Sequence, residues 1–438
     1  MFDVLIVGGG MVGATLASAL HSNPRLKVGI IETKAELLQG EFSADGRASA
    51  VALGSSQIWQ KIGVWGGMLK RGVTPMHCIQ VSDGNYSQKV SLLREDINEE
   101  ALGYVIENQV TQAALWEFIK ECPNIELICP AKIVDIVRES NEYLTVQVDS
   151  GNQIINLKTK LLVGADGGRS LVRNLAEISI SEKLYDQTCI VVTVKTEFPH
   201  ENIAYERFQP SGPFALLPLP KENRFCIVWT AKNSEAGEIL GLEDEKFMQE
   251  LRSRLGTELL EKLGTISLES KTRASYNPRW MHSQTYIQPR LALIGDAAHT
   301  THPVAGQGMN LGIRDAGAIA EIILTAFTQG EDIGSMTVLK RYQGWRRWDN
   351  WAVITVTDIT NRLFSNQFWL FQLIRRIGLA IASFLPFKKI LMYFMMGLVG
   401  RQPNLSQKTR SQKTRSQNLE TYPEIATIST ITPKALRK

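Results

Sequence analysis

The sequence predicts an α/β fold in three parts: a Rossmann-like nucleotide-binding half, an antiparallel-sheet domain inserted into it, and a C-terminal helical segment. An apolar run, Phe2 to Val7, leads into Gly8-Gly9-Gly10-Met11-Val12-Gly13 and then a helical stretch to about Leu20. A second apolar run ends in the small-residue turn Gly164-Ala165-Asp166-Gly167-Gly168-Arg169, and a third ends in Gly295-Asp296. Between these last two, from about Leu184, short alternating segments replace the βα rhythm, as an antiparallel sheet requires.

The first unit is complete in itself. Lys27 to Ile31 reads as a second strand ending in Glu32, about twenty residues past the glycines, where a dinucleotide fold holds a ribose hydroxyl. Gly8, Gly10 and Gly13, with Val12 between, set bare amides at a helix start, where the dipole favours a pyrophosphate. An acid at position 32 with no arginine beside it suits FAD or NAD better than NADP.

Phe42 to Arg47 reads as a loop, and Ala52-Leu53-Gly54-Ser55 as the start of a helix to Trp59 or beyond. Arg47 suits a pyrophosphate or ribityl oxygen and equally a solvated position. Met76 to Val81 and Gln88 to Leu93 alternate around Asp83-Gly84, a hairpin signal. A helix follows from Gln109 to Cys122, then strands at Ile133 to Arg138, Tyr143 to Val148 and Ile154 to Lys158. In the second glycine site, Asp166, Gly167 and Arg169 fit a capped helix with a surface arginine as well as a ligand contact. The inserted sheet has strands such as Ile190 to Lys195, Phe214 to Leu219 and Phe225 to Trp229, with one helical interlude near Asp244 to Leu263. Tyr205, Phe208, Phe214 and Trp229 are candidates to line an apolar substrate pocket, although core packing is the commoner fate of aromatics.

At the third site, Leu291 to Ile294 forms a buried strand whose end presents Asp296 to a ligand hydroxyl. Pro303 and the run Gly306-Gln307-Gly308-Met309-Asn310-Leu311-Gly312 open a helical stretch, so amides and dipole favour negative charge at that point. The pyrimidine edge of a reduced flavin carries such charge. His299 and His302 lack a further ligand at metal spacing and are expected to brace the loop, with no metal.

These segments divide the chain into a nucleotide-binding domain (1–74, 96–183 and 288–350), a sheet domain (75–95 and 184–287), an apolar helical segment (351–400) and a basic tail (401–438). In the helical segment, apolar lengths are interrupted by Arg375-Arg376 and Lys388-Lys389. Residues 363–400 fit a segment lying in a membrane interface and equally a hairpin packed on the body. No run has the roughly 18 apolar residues of a spanning helix, and Val4 to Val7 is too short for a signal-peptide core. The tail, with its repeated Ser-Gln-Lys-Thr-Arg, is expected to be disordered.

Of 438 residues, 44% are hydrophobic and 21% charged, as in globular proteins. The net charge of +4 comes from the tail: residues 401–438 hold eight Lys/Arg and two Asp/Glu, leaving 40 minus 42, or −2, for the body. That balance argues against a nucleic-acid-binding body. Cys78, Cys122, Cys129, Cys189 and Cys226 form no C-x-x-C pair and read as reduced thiols of a cytoplasmic protein.

With three glycine sites in this order, the chain resembles the single-component flavin aromatic hydroxylases, FAD-dependent monooxygenases, and most of all the branch that hydroxylates polyprenyl phenols in ubiquinone biosynthesis. The likeness runs from Met1 to about Gly400. Branch matches are Leu102-Gly103-Tyr104-Val105-Ile106-Glu107-Asn108, Asp45-x-Arg47, Ala298-His299-x-x-His302-Pro303-x-Ala305 through Gly312, and Tyr342 with Arg346-Arg347. The resemblance implies Glu32 on the adenosine ribose, Asp296 on a ribityl hydroxyl, and Arg47 and Asn108 near the pyrophosphate and ribityl chain. It places Asp166, Gly167 and Arg169 in a motif linked to both FAD and NAD(P)H. Pro303, Gly306, Gln307, Gly308, Met309 and Asn310 would surround the flavin ring without an acid/base triad. It also implies NAD(P)H as transient reductant, O2 activated as a flavin C4a-hydroperoxide, and an apolar prenylated aromatic substrate. The expected place is the cytoplasm, peripheral at the inner face of a membrane, with a quinone-biosynthesis complex as partner. A prenyl-chain reductase, or a non-catalytic FAD-binding subunit of such a complex, would leave the same glycine sites.

Overall fold

The computed structural model describes residues 1–39, 46–84, 89–151, 153–270, 272–365, 368, 375, 378 and 384–405. The loop at 40–45, most of 366–383 and residues 406–438 of the basic tail lie outside them. Residues Met1–Leu405 form one compact unit.

Strand β1 (Phe2–Val7) is apolar on both faces because parallel neighbours flank it, and Val4, Leu5 and Ile6 are fully buried. It pairs with β2 (Val28–Ile31) on one side and with Ile154–Gly164 on the other, and the latter pairs in parallel with Leu291–Leu293. The register sets Val7 opposite Gly164 and Gly164 opposite Leu293. Parallel pairing therefore brings the three glycine sites, distant in sequence, to one edge of one sheet. Helix α1 (Met11–Leu20) returns over this sheet. Where the sequence suggests two short strands, Ile154–Gly164 is a single one: its alternating first half pairs antiparallel with Leu144–Asp149, and its apolar second half lies between parallel neighbours.

A small sheet of Ala48–Ala52, Gly103–Glu107 and Thr74–Met76 bridges to the inserted domain. Ala48–Ala52 escapes sequence reading because Ala and Ser have little strand preference. In the inserted sheet, Ile266–Leu268, Gln187–Thr196, Arg224–Lys232, Gly212–Pro218, Ile203–Gln209, Cys78–Asp83 and Lys89–Leu93 lie side by side. One face of it packs against three helices, Asn233–Gly241, Asp244–Leu255 and Thr257–Leu263, rather than the single helical interlude expected.

Helix Met336–Ser365 runs unbroken through the boundary drawn at 350. Its buried positions, Leu339, Tyr342, Arg346, Asn350 and Ile354, recur at helical spacing on both sides of that point. Helix Leu385–Met395 lays Met392, with the following Met396, against Leu53, Val90, Leu92 and Leu102.

Candidate active site

At the edge of the parallel sheet the glycines have distinct tasks. Gly8 has φ +103° and lies against the backbone of Ala165, where a Cβ would come within 2.5 Å of the carbonyl. A Cβ on Gly13 would lie 1.9 Å from the Gly8 carbonyl oxygen, so α1 can start there only with glycine. Around a Cβ built on Gly10, no atom of the described residues lies within 4 Å. The start of α1 has no side-chain cap and no acid in its first turn, so its amides are left to a ligand. Glu32 accepts from the backbone N–H of Gly9 (2.7 Å), Thr33 (2.8 Å) and Lys34 (2.9 Å). These bonds, together with the Thr33 hydroxyl on Oε1 (3.2 Å), fix the carboxylate beside the glycines and leave Oε2, which accepts from Gly9, a lone pair for one hydroxyl donor. Trp116 supports Gly9 from below through Nε1–H to its carbonyl at 2.9 Å.

At the Gly295-Asp296 site, Gly295 takes φ +57° against Val12, and Val12 also fills the notch of Gly312. Val12 thus packs α1 onto helix Gln307–Thr328 rather than only spacing a glycine motif. Asp296 is exposed at the wall of a cavity, where desolvation by the protein around it raises its carboxyl above the usual range. Pro303, Gly306, Gln307, Gly308 and Met309 line the same cavity. Gly306 has φ +61° and caps helix Gln307–Thr328, whose first turn holds no acid. The Asn310 side chain is committed to the protein: it accepts from Ala52 N–H (2.8 Å) and donates to the carbonyls of Ala50 and Gly306 (2.8 Å each). It ties Ala48–Ala52 to the loop, so only its backbone remains to contact a cofactor.

The other expected contacts separate. Asn108 accepts from the Ser49 hydroxyl (2.6 Å), and its N–H donates to the Arg47 carbonyl (2.9 Å), while the Arg47 side chain is exposed. Asp166 accepts from Ser170 Oγ (2.5 Å) and the N–H of Leu171 (2.7 Å) and Val172 (3.1 Å), so its carboxylate caps helix Leu171–Leu175. Gly167 turns the chain with φ +81°, and Arg169 is exposed. Here the capping alternative describes the side chains.

The cavity has a volume of about 630 Å³. The inner face of the inserted sheet forms one wall, with Ala204, Ala215, Leu217 and Val228. Phe214 and Trp229 do not line it: pleating turns these alternate residues to the opposite face, where both are fully buried against the three helices. Tyr205 borders the cavity, but its ring packs in that outer core with Phe225, under Lys262. Phe208 does face inward. The pocket wall is thus built from the small and aliphatic alternates of the aromatics expected there.

One group essential to the site was not found from sequence. Asp315, wholly buried inside helix Gln307–Thr328, accepts from Gly295 N–H (3.1 Å), His299 Nε2 (2.6 Å), Arg346 Nε (2.8 Å) and Asn350 Nδ2 (2.9 Å). His299 and Arg346 hold its carboxyl far below the usual range despite the cost of burial. The network locks the Gly295-Asp296 turn to both long helices. Its sequence signal was a lone acid on an apolar helix face, with Arg346 and Asn350 four apart on another. His302 bonds Gln187 (3.0 Å) under the edge of Tyr185 and is held neutral, lowered to about 3 by burial.

The open space above Gly10, the unspent amides at two helix starts and two carboxylates placed for hydroxyls fit an extended dinucleotide, with the adenosine end at Glu32 and the flavin end at the cavity. Comparison agrees. Residues 1–357 match the family of the FAD binding domain. The chain is 37% identical to the ubiquinone hydroxylase UbiL of Rhodospirillum rubrum, covering 92% of this chain and 91% of that one. It is 31% identical to the 3-demethoxyubiquinol 3-hydroxylase of Escherichia coli, covering 87% and 94%. The p-nitrophenol 4-monooxygenase PnpA of Pseudomonas putida shares the fold, with a TM-score of 0.76 at 18% identity over 92% of this chain and 99% of that one. The chain belongs to the FAD-dependent aromatic hydroxylases, in the family of the ubiquinone hydroxylases.

Proposed function

We propose that this monooxygenase hydroxylates the aromatic ring of a polyprenylated phenol in the synthesis of a ubiquinone-type quinone, using NAD(P)H and O2. The observation that carries this reading is the cavity, mostly aliphatic and joined to the Pro303 to Met309 loop. The sheet supplies one wall, and Leu363, Phe364, Leu391 and Phe394 of the C-terminal helices supply another. A polar substrate would find few partners there, whereas a ring with a hydrocarbon tail matches it. The two relatives above are both hydroxylases of ubiquinone-type compounds.

FAD, when bound, supplies the electron and oxygen chemistry. The chain has three tasks beside it. Gly10, Glu32 and Asp296 hold the cofactor, and the first amides of helix Gln307–Thr328 favour negative charge on the ring edge facing them. The apolar walls keep water from the reacting atoms. The sequence has no second G-x-G-x-x-G, so the reading takes NAD(P)H to bind transiently.

We place the protein peripherally on the cytoplasmic face of a membrane, through 363–400, within reach of a quinone-biosynthesis complex. Among the described residues no helix is long and apolar enough to cross one. Helix Leu385–Met395 lines the cavity with Leu391 and Phe394 and exposes Phe387 and Ile390, so a tail leaving beside it would meet lipid.

The test is NAD(P)H oxidation by FAD-loaded protein in liposomes, with and without a short-chain prenyl phenol, under labelled O2. Hydroxylated product carrying one labelled atom is expected. Saturated prenyl chains would replace this reading with a reductase, and FAD that no nicotinamide reduces would replace it with a subunit lacking activity of its own.

A further inference from the structure

Glu206 lies on strand Ile203–Gln209 and lines the cavity together with Ala204 and Phe208. The adjacent strands place Val81 and Ala215 at its register, both apolar and both cavity-lining. Among the described residues, no group hydrogen-bonds to its carboxyl or pairs with it. The other titratable groups of the described cavity wall are Tyr205, Tyr276, Arg279, Asp296 and Arg375, and behind it Cys189 feels the charge of Glu206. Arg375 pairs with Asp83 (2.7 Å), and Arg279 reaches the Gly168 carbonyl and Glu182. Burial alone pushes the Glu206 carboxyl up to about 7. A carboxyl without a partner in an apolar wall is costly unless a ligand completes it. The substrate class above brings one suitable donor, its phenolic O–H.

We propose that Glu206 is a catalytic residue that accepts the hydrogen bond of the phenolic hydroxyl and takes its proton as the ring is oxygenated. The proposal rests on the prenyl-phenol reading. Transfer of the O–H proton to the carboxylate raises electron density on the ring. A ring carbon then forms the new C–O bond with one atom of O2, while the other atom leaves as water. The two electrons come from the reduced nicotinamide. That carbon next sheds its hydrogen as a proton, and Glu206 returns its own proton to the original phenolic oxygen as aromaticity is restored. In sum, phenol, O2, NAD(P)H and a proton give dihydroxyarene, water and NAD(P)+.

The test uses the FAD-loaded full chain, its Glu206→Gln and Glu206→Asp variants, and two probes, 2-geranylphenol and its O-methyl ether. Flavin absorbance reports binding of each probe from pH 5.5 to 8.5. In the wild type the preference for the phenol over the ether should grow as pH rises through 7, since a carboxylate is the stronger acceptor; in Glu206→Gln it should be flat. Hydroxylation should fall about 100-fold in Glu206→Gln with loss of its acidic limb, and Glu206→Asp should keep the limb at reduced rate. A Gln variant with the wild-type preference profile, or with wild-type turnover and limb, overturns the proposal. If Glu206→Gln fails to load FAD, an Asp variant without the limb overturns it equally. Should the wild type hydroxylate neither probe nor any longer prenyl phenol, the hydroxylase reading fails and the binding profile alone decides Glu206.

Discussion

Gly10 and Gly13 stand three residues apart in one motif and answer to different neighbours. Gly13 is required by the protein, because its Cβ would lie 1.9 Å from the Gly8 carbonyl oxygen, whereas Gly10 faces open space. Gly10→Ala should therefore cost the FAD-free chain no more than about 1 kcal/mol, the helix start tolerating alanine, yet lower FAD affinity at least about tenfold (~1.4 kcal/mol). Gly13→Ala should lower the melting temperature of the FAD-free chain itself. Equal loss of stability in both variants would show that Gly10 is not kept for a ligand. Glu206 makes a second prediction at this scale. Its folded carboxyl titrates at about 7 against 4.5 for an ordinary glutamate. Between these values the folded state binds more protons than the unfolded one, so stability falls as pH rises and the loss is complete above 7. Glu206→Gln removes that slope. Relative to wild type it should gain about 1 to 3 kcal/mol between pH 5 and pH 8, the lower figure allowing for water in the cavity. Parallel denaturant titrations at the two pH values would measure it.

The elements show where sequence reasoning stops. Each glycine site was visible because an apolar run ending in glycine is a local pattern, and parallel pairing then places all three at one edge. Which face of the inserted sheet forms the pocket was not visible, since alternation separates two faces without saying which one meets helices. Phe214 and Trp229 went to the helical side, and the cavity wall fell to Ala204, Ala215, Leu217 and Val228. Strand Ala48–Ala52 and the Asn310 side chain that holds it stayed hidden because a run of small residues carries no strand signal. Adjacent residues on strand Gly212–Pro218 test the facing. Phe214→Leu should cost on the order of 1 kcal/mol of stability and leave KM for a prenyl phenol unchanged. Ala215→Leu should raise KM at constant FAD content, because the added carbons enter the cavity. The reverse pattern would put the substrate on the other side of the sheet.

At the scale of the whole molecule, helix Leu385–Met395 ties pocket, body and surface together. Met392 anchors it in the core beside Leu53 and Leu102, Leu391 and Phe394 line the cavity, and Phe384, Phe387 and Ile390 are 62%, 55% and 65% exposed. Exposed apolar groups this large, beside the exposed Lys389, are an unusual expense on a surface that meets only water. Lipid would repay them: apolar side chains entering an interface gain from the same transfer that builds cores, and a lysine adds about 1 kcal/mol near anionic headgroups. The double variant Phe387→Ser with Ile390→Ser removes apolar area that touches neither the core nor the cavity. It should leave thermal stability and FAD content unchanged and reduce co-sedimentation with anionic vesicles at least about tenfold, a loss of ~1.4 kcal/mol. Turnover of a long-chain phenol in vesicles should fall with it, while a short, water-soluble phenol is turned over as before. Unaltered sedimentation of the double variant would remove this helix from the membrane contact and leave its exposed face to a protein partner.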